Sequence, residues 1–248
     1  MKTSNNTILI TGGGSGIGLA MAQKFLENGN TVIICGRRAD KLAEVKSKFP
    51  DLHTKVADIS NPDDRIELRD WTTSNFPGLN ILVNNAGIQN TFFLKQQNTI
   101  EAITHEVTTN LISPIHLANL FVPHLIKQHE AAIINITSGL AYIPVVATAV
   151  YCAAKAALHS FTLSARHQLK DTSIKVFEIA PPIVDTELGH DGSHKEREVE
   201  GISASQVASE TFLAVQDDQF ELAIGMAQNL YRAAHSDKAD MVFNQVNR

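Results

Sequence analysis

The chain is poor in cysteine, with two in 248 residues, Cys35 and Cys152. Two thiols cannot build the disulfide framework of a small secreted domain, and neither lies in a CxxC or Cys/His spacing. Reduced thiols and a cytoplasmic location are expected. Long hydrophobic runs are lacking too. No stretch reaches the ~18 uninterrupted apolar residues of a membrane span, and Met1 to Thr11 is too weakly apolar for a signal peptide. Positive charge is not in excess: 21 Lys and Arg stand against 26 Asp and Glu, for a net charge of −5. Nucleic acid is therefore not an expected partner. No repeat, low-complexity tract or Pro/Gly/Ser-rich linker divides the sequence. What is present is 44% apolar against 19% charged residues, enough to bury a sizeable core in one α/β domain of ordinary size.

Short β-branched runs alternate with longer segments of helical spacing. The run 7–11 (TILIT) precedes a helix from about Ile17 that stops at Gly29, a residue suited to the left-handed end of a helix. The run 31–35 (TVIIC) precedes a charged helix over 40–49, closed by Pro50. A weaker strand at 53–57 is followed by Asn61, Pro62, Asp63 and Asp64, which supply a cap, a first-turn proline and favourable charge for a helix to Asn75. Strands are predicted at 80–83, 132–137 and 174–179, with long helical segments at 99–128 and 148–170. A helix at 203–216 and a strand at 219–224 lead to one terminal helical segment, Met226 to Asn247. Near-continuous apolar strands suit burial on both faces. The expected fold is α/β: a Rossmann-type doubly wound parallel sheet of about seven strands with helices on both faces, in a single domain. The charged stretch 187–201 (ELGHDGSHKEREVEG) lacks helical spacing and reads as a mobile substrate loop.

Ligands of such sheets bind beyond the carboxyl ends of the strands, where the unusual residues of this chain fall. The first strand is followed by Gly12, Gly13, Gly14, Ser15, Gly16, Ile17 and Gly18, spaced TGxxxGxG rather than GxGxxG. This turn either cradles a pyrophosphate at a helix N-terminus or is merely a tight connection. After the second strand stand Arg37 and Arg38, where an acidic residue would hold the ribose of NAD(H). A guanidinium pairs with the 2'-phosphate that a carboxylate repels, so NADP(H) is preferred over NAD(H); the alternative is two solvated charges opening a helix. Asp58, after the third strand, either meets the adenine amino group or opens the Ser60/Asn61 turn. Asn84, Asn85, Ala86 and Gly87 follow the fourth and suit a polar stretch that braces the sheet and lies along a cofactor.

Ser138 follows the fifth strand, and the next helix carries Tyr151 and Lys155, four apart and so on one face. A neighbouring ammonium lowers a phenol from its usual ~10 toward a useful acid/base range, and Ser138 could bond the same reacting oxygen. Alone, a Tyr/Lys pair at this spacing is an ordinary surface pair; the serine at the adjacent strand end points to chemistry. Asn110 lies four residues before Pro114, which has no N–H to give to the Asn110 carbonyl. That carbonyl either holds a water bonded to Lys155 or marks a simple proline kink.

TGGGSGIG, NNAG, Asn110, Ser138 and YCAAK, in this order and spacing, resemble the short-chain dehydrogenase/reductase superfamily over nearly the whole chain. The wording VIICGRR, VNNAGIQ and APPIVDT looks closest to the bacterial DltE-like oxidoreductases. The resemblance implies Tyr151 as general acid/base, Lys155 binding the nicotinamide ribose and lowering the tyrosine pKa, Ser138 positioning the substrate oxygen, and Asn110 supporting a proton relay. It also implies cofactor contacts from the Gly12 to Gly18 turn, Asp58, Ile59, Asn84, Ala86, Gly87, Pro181, Ile183 and Thr186, besides Tyr151 and Lys155. Two departures matter. Pro182 stands where the family usually has glycine, and the chain lacks the glycine-rich tail that often contributes to the family's tetramer. A homo-oligomer is expected, with a dimer favoured over a tetramer.

The expected function is hydride transfer between NADP(H) and a small carbonyl or alcohol substrate. Ile88, Gln89, Leu140, Tyr142, Val145 and the loop after Thr186 are expected to shape the pocket, a mixture that slightly favours a hydrophobic or amphipathic substrate. The competing class is an NADP(H)-binding sensor without turnover, disfavoured because all four catalytic positions are filled. His190 and His194 share a metal-compatible spacing but have no third ligand, so no metal is expected. Cys152 reads as a small packed thiol, and no GxSxG elbow surrounds Ser138 to suggest a hydrolase.

Overall fold

Side chains of a strand alternate between the two faces of a sheet, and this sequence makes both faces apolar. In Thr7–Thr11 (β1), Ile8 and Ile10 enter one core and Leu9 the other. Thr31–Gly36 (β2) repeats the pattern, with Val32 and Ile34 on the first side and Ile33 and Cys35 on the second. The computed structural model describes residues 1–188 and 201–247. His53–Val56 (β3), Leu79–Asn84 (β4), Ala131–Ile136 (β5), Ile174–Ala180 (β6) and Glu221–Ala223 (β7) complete one sheet. Its order is β3-β2-β1-β4-β5-β6-β7, with every pairing parallel.

Three helices cover the first face. Gly16–Glu27 (α1), Ala39–Lys48 (α2) and Ala204–Gln216 (α7) bring Met21, Phe25, Leu42, Val45, Val207 and Phe212 onto it. Pro62–Asn75 (α3), Ser113–Leu125 (α5) and Ala149–Gln168 (α6) bring Leu68, Leu117, Phe121 and Ala165 onto the other. Full burial of one large apolar side chain such as Phe25 or Phe121 contributes ~1.5 to 3 kcal/mol before entropy is counted. The cap predicted at Asn61 is formed, its side-chain oxygen accepting from the Asp63 N–H at 2.9 Å. Strand order reverses between β1 and β4, so a crevice opens at their carboxyl ends.

Two predicted elements differ. The segment 99–128 is not one helix: Ile100–Val107 (α4) passes through a π-helical turn, Thr108–Ile112, into α5. Pro114 cannot supply the N–H that a regular helix would return to Asn110, and the wider turn absorbs the mismatch in place of a sharp kink. The terminal segment also divides, into Met226–Ala234 (α8) and Ala239–Val246 (α9). Between them the Ser236 hydroxyl donates to Ala233 O at 3.0 Å and accepts from the Lys238 N–H at 3.2 Å, so a side chain takes over backbone partners. β7 is shorter than the predicted 219–224. Most of the predicted loop at 187–201, with His190 and His194, lies outside the described residues. Among the described residues no helix is long and apolar enough to cross a membrane.

Candidate active site

The glycine turn sits between β1 and α1, and its backbone conformation demands glycine. Gly12 and Gly16 have φ of +67° and +53°, in the left-handed region. A Cβ on Gly18 would stand 2.4 Å from the Gly12 carbonyl oxygen, so helix and turn approach too closely for a side chain. Ser15 takes the N-cap position of α1, yet its side chain makes no capping bond, leaving the helix N-terminus available to an anion. Thr186 closes over the turn, its side chain 3.1 Å from where a Gly16 Cβ would be. A cradle without side chains at a helix N-terminus fits the pyrophosphate of a dinucleotide.

Thr11 and Asn85 tie this turn to the end of β4. The Thr11 hydroxyl accepts from the Asn85 and Ala86 N–H groups at 3.0 and 3.1 Å, and the Asn85 amide donates to Thr11 O at 2.9 Å. Asn84 points the other way, donating to Asn135 Oδ1 at 2.9 Å, and Asn135 donates to Thr162 at 2.9 Å. Asn84 therefore braces the sheet, as expected. Thr11 and Asn135 are contributions that sequence reasoning missed, since their only signal is position beside a strand end.

Arg37 and Arg38 are half-exposed at the rim. Arg37 reaches toward Asp58 at 4.0 Å and the His105 ring at 3.4 Å. Arg38 donates to Ser15 at 3.2 Å and pairs with Glu187 at 2.9 Å. Asp58 accepts from both the N–H and the hydroxyl of Ser60, the turn-opening alternative of the two predicted. Ile59 is buried in the second core, and its carbonyl accepts from Arg65 and from Ser113.

The reacting end lies across β5, α6 and the π turn. Ser138 caps a short 3-10 turn, Gly139–Ala141, accepting from the Leu140 N–H at 3.1 Å. Tyr151 and Lys155 share the buried face of α6, 6% and 4% exposed. Burial pushes the Tyr151 phenol up to about 12, against the lowering effect of its hydrogen bond with Ser138. Burial alone brings Lys155 down to about 8. The expected lowering of Tyr151 by Lys155 does not outweigh this burial, and the ammonium donates to Ile136 O at 2.8 Å.

Asn110 is held by side chain, its amide donating to Ile88 O at 2.7 Å and its oxygen accepting from the Ile88 N–H at 3.0 Å. A Cβ on Gly87 would stand 3.0 Å from Asn110 Oδ1 and 3.8 Å from Lys155 Nζ, so the three residues converge. Pro181 accepts from the Gly139 N–H at 3.0 Å, joining the end of β6 to the Ser138 turn, while Ile183 is exposed.

An apolar cavity of about 600 Å³ lies against α6, and of the residues expected to shape the pocket Leu140 and Val145 line it. Ile88, Gln89 and Tyr142 do not; the Tyr142 ring packs edge-on against His159 and Tyr231 at 5.3 and 5.0 Å. Phe92, Phe93, Leu94 and, from α9, Phe243 supply walls that sequence reasoning missed. Ala149, Cys152, Ala153 and Ala156 also line it, at spacings that place them on a different side of α6 from Tyr151 and Lys155. Cys152 is a packed thiol, and burial raises it.

Comparison with known proteins agrees with this geometry. Residues 6–197 match the family model described as short chain dehydrogenase. The chain is 45% identical over 253 residues to the uncharacterised oxidoreductase DltE of Bacillus subtilis, covering 100% of this chain and 98% of that protein. It is 32% identical over 214 residues to an uncharacterised oxidoreductase of Staphylococcus epidermidis, covering 83% of this chain and 91% of the other. In fold it is similar to a short chain dehydrogenase from Burkholderia cenocepacia in complex with NADP, with a TM-score of 0.86, 23% identity and 99% of both chains covered. A short chain dehydrogenase/reductase from Burkholderia phymatum in complex with NAD gives 0.86 at 20% identity, covering 98% of this chain and 96% of that one. The chain belongs to the short-chain dehydrogenase family of oxidoreductases, with the nucleotide-binding Rossmann fold of that family.

Proposed function

We propose that this protein transfers a hydride between NADP(H) and a small carbonyl or alcohol substrate, with Tyr151 as general acid/base. The observation that carries this reading is the convergence of Ser138, Tyr151, Lys155, Asn110 and Gly87 at the ends of β4 and β5, beside a glycine cradle suited to a pyrophosphate. When bound, the nicotinamide supplies or accepts the hydride at the carbonyl carbon.

This chain's residues handle the oxygen and its proton. The Ser138 hydroxyl orients the substrate oxygen, and the Tyr151 phenol gives that oxygen a proton in reduction and removes it in oxidation. Lys155 holds the nicotinamide ribose; freed from Ile136, its charge stabilises the Tyr151 phenolate. Asn110, pinned to Ile88 within the π turn, supports the proton path to solvent. Gly12, Gly14, Ser15, Gly16, Ile17, Gly18 and Thr186 hold the phosphates, and Asp58, Ile59, Asn84, Ala86, Gly87, Pro181 and Ile183 lie along the rest of the dinucleotide. Arg37 and Arg38 take the 2'-phosphate, which favours NADP(H).

Leu140, two residues beyond Ser138, lines the apolar cavity, which supports a hydrophobic or amphipathic substrate. The working form is a single-domain chain assembled as a cytoplasmic homodimer. A panel of aldehydes, ketones and alcohols followed by NADPH and NADH absorbance tests the reading. Turnover with NADPH preferred supports it; tight NADPH binding with no turnover across the panel refutes it.

A further inference from the structure

Glu106 is a buried acid with no part in the proposed reaction. It lies on α4 and is 2% exposed, a rare place for a carboxylate. Its oxygens accept from the Asn90 N–H at 3.2 Å and from the Asn90 side-chain amide at 3.1 Å, both uncharged donors. Asn90 stands three residues beyond Gly87, in the loop leaving β4. Two residues further on, the Phe92 N–H donates to Ala147 O at 2.8 Å, and Phe92 forms a parallel bridge with Thr148, the N-cap of α6. The loop is therefore anchored to Glu106 at one point and to the start of the Tyr151 helix at the next.

Helix α4 also packs directly on α6. The groups that act on Tyr151 are Ser138 from the end of β5, Cys152 from its own helix and Glu106 from α4, while Lys155 Nζ lies 5.7 Å from the ring centroid. Burial raises both the Tyr151 phenol and the Cys152 thiol, and the negative charge of Glu106 adds a smaller push in the same direction. Burial holds the Glu106 carboxyl above the usual carboxylate range, with the Asn90 bonds opposing.

We propose that Glu106 is a positioning residue of the reacting centre: through Asn90 it fixes the wall between Gly87 and Tyr151, and from a helix packed on α6 its charge adds to the field at the Tyr151 phenol. Its kinetic consequences rest on Tyr151 being the acid/base, whereas its effect on the phenol's titration does not. A purely structural carboxylate would fix the loop without changing that titration.

The test compares wild type, Glu106→Gln and Asn90→Ala. Phenolate absorbance is titrated in each, with Tyr151→Phe identifying the Tyr151 step among the three tyrosines. In Glu106→Gln the Tyr151 step moves to lower pH, and so does the rising limb of alcohol oxidation. In Asn90→Ala the charge remains and the step stays in place, while KM for the carbonyl substrate rises about tenfold, the equivalent of one lost buried hydrogen bond. If Glu106→Gln does not fold, Glu106→Asp keeps the charge and is expected to raise KM with the Tyr151 step in place. A folded Glu106→Gln with an unmoved Tyr151 step overturns the proposal, as does a Glu106→Asp protein with unchanged KM. Absence of turnover in the wild type would defeat the functional reading instead, and the titration would still decide the role of Glu106.

Discussion

Lys155 Nζ stands 5.7 Å from the centroid of the Tyr151 ring while bonded to the Ile136 carbonyl at 2.8 Å. Burial disfavours the charged form of each partner, holding the phenol up at about 12 and the ammonium down at about 8. Tyr151 is therefore protonated across neutral pH. Carbonyl reduction, which consumes that proton, is expected to hold through neutrality, and alcohol oxidation, which needs the phenolate, to rise with pH. Removing the group proposed to hold the nicotinamide ribose, with Lys155→Met, should lower kcat about a hundredfold or more. Profiles of kcat/KM against pH in both directions check this.

Arg37 and Arg38 should decide between the two dinucleotides. Arg37→Glu combined with Arg38→Ala is expected to raise KM for NADPH on the order of tenfold to a hundredfold, the range of lost charge-assisted hydrogen bonds. KM for NADH should change little. Equal losses for both cofactors would show that the arginines act on something other than the 2'-phosphate.

Gly18→Ala places a methyl 2.4 Å from the Gly12 oxygen and 2.5 Å from the Asn85 amide nitrogen. Neither backbone nor the Asn85 link to Thr11 can yield cheaply, so the expected cost is ~1 to 3 kcal/mol. Denaturation midpoints would fall, and dinucleotide affinity with them. A fully stable variant with native affinity would mean that the turn is looser than its contacts imply.

His159 and Glu178 make stability depend on pH. Glu178 is fully buried, and His159 Nδ1 lies 2.7 Å from its carboxylate. That hydrogen bond, stronger in effect than the opposing burial, raises the His159 pKa above its ordinary ~6.5. A raised folded-state pKa gives stability that is complete below the unfolded value and is lost as pH climbs through the folded one. Wild-type stability should fall over that window. His159→Ala should cost ~3 kcal/mol on its acid side, by leaving the buried Glu178 with only the Thr137 hydroxyl, which donates to it at 2.7 Å, and should flatten the slope. Urea unfolding measured at several pH values distinguishes the two.

The sheet and its helices were legible because buried parallel strands announce themselves as apolar runs, and glycine, proline and Asn61 punctuate the helices between them. The positions of Ser138, Tyr151 and Lys155 followed from strand ends and a spacing of four. What escaped is what has no local signature. The break between α8 and α9 is made by Ser236 bonding backbone on both sides, with neither glycine nor proline to mark it. Phe243 reaches the cavity from the far end of the chain, and Asn247 pins that helix by donating to Pro144 O at 3.0 Å and accepting from the Val146 N–H at 2.7 Å. The Asn110 side chain pairs with Ile88, whereas spacing alone drew attention to its carbonyl. Long-range partners of this kind depend on packing that a linear pattern does not encode.

Tyr151 is the group proposed to move the proton at the reacting oxygen. The direct measurement is turnover and NADPH affinity of Tyr151→Phe, a variant that keeps the ring and removes only the hydroxyl. Loss of turnover by a hundredfold or more, on the order expected for a general acid/base, with affinity nearly unchanged, is the predicted result. Wild-type turnover by that variant would contradict it.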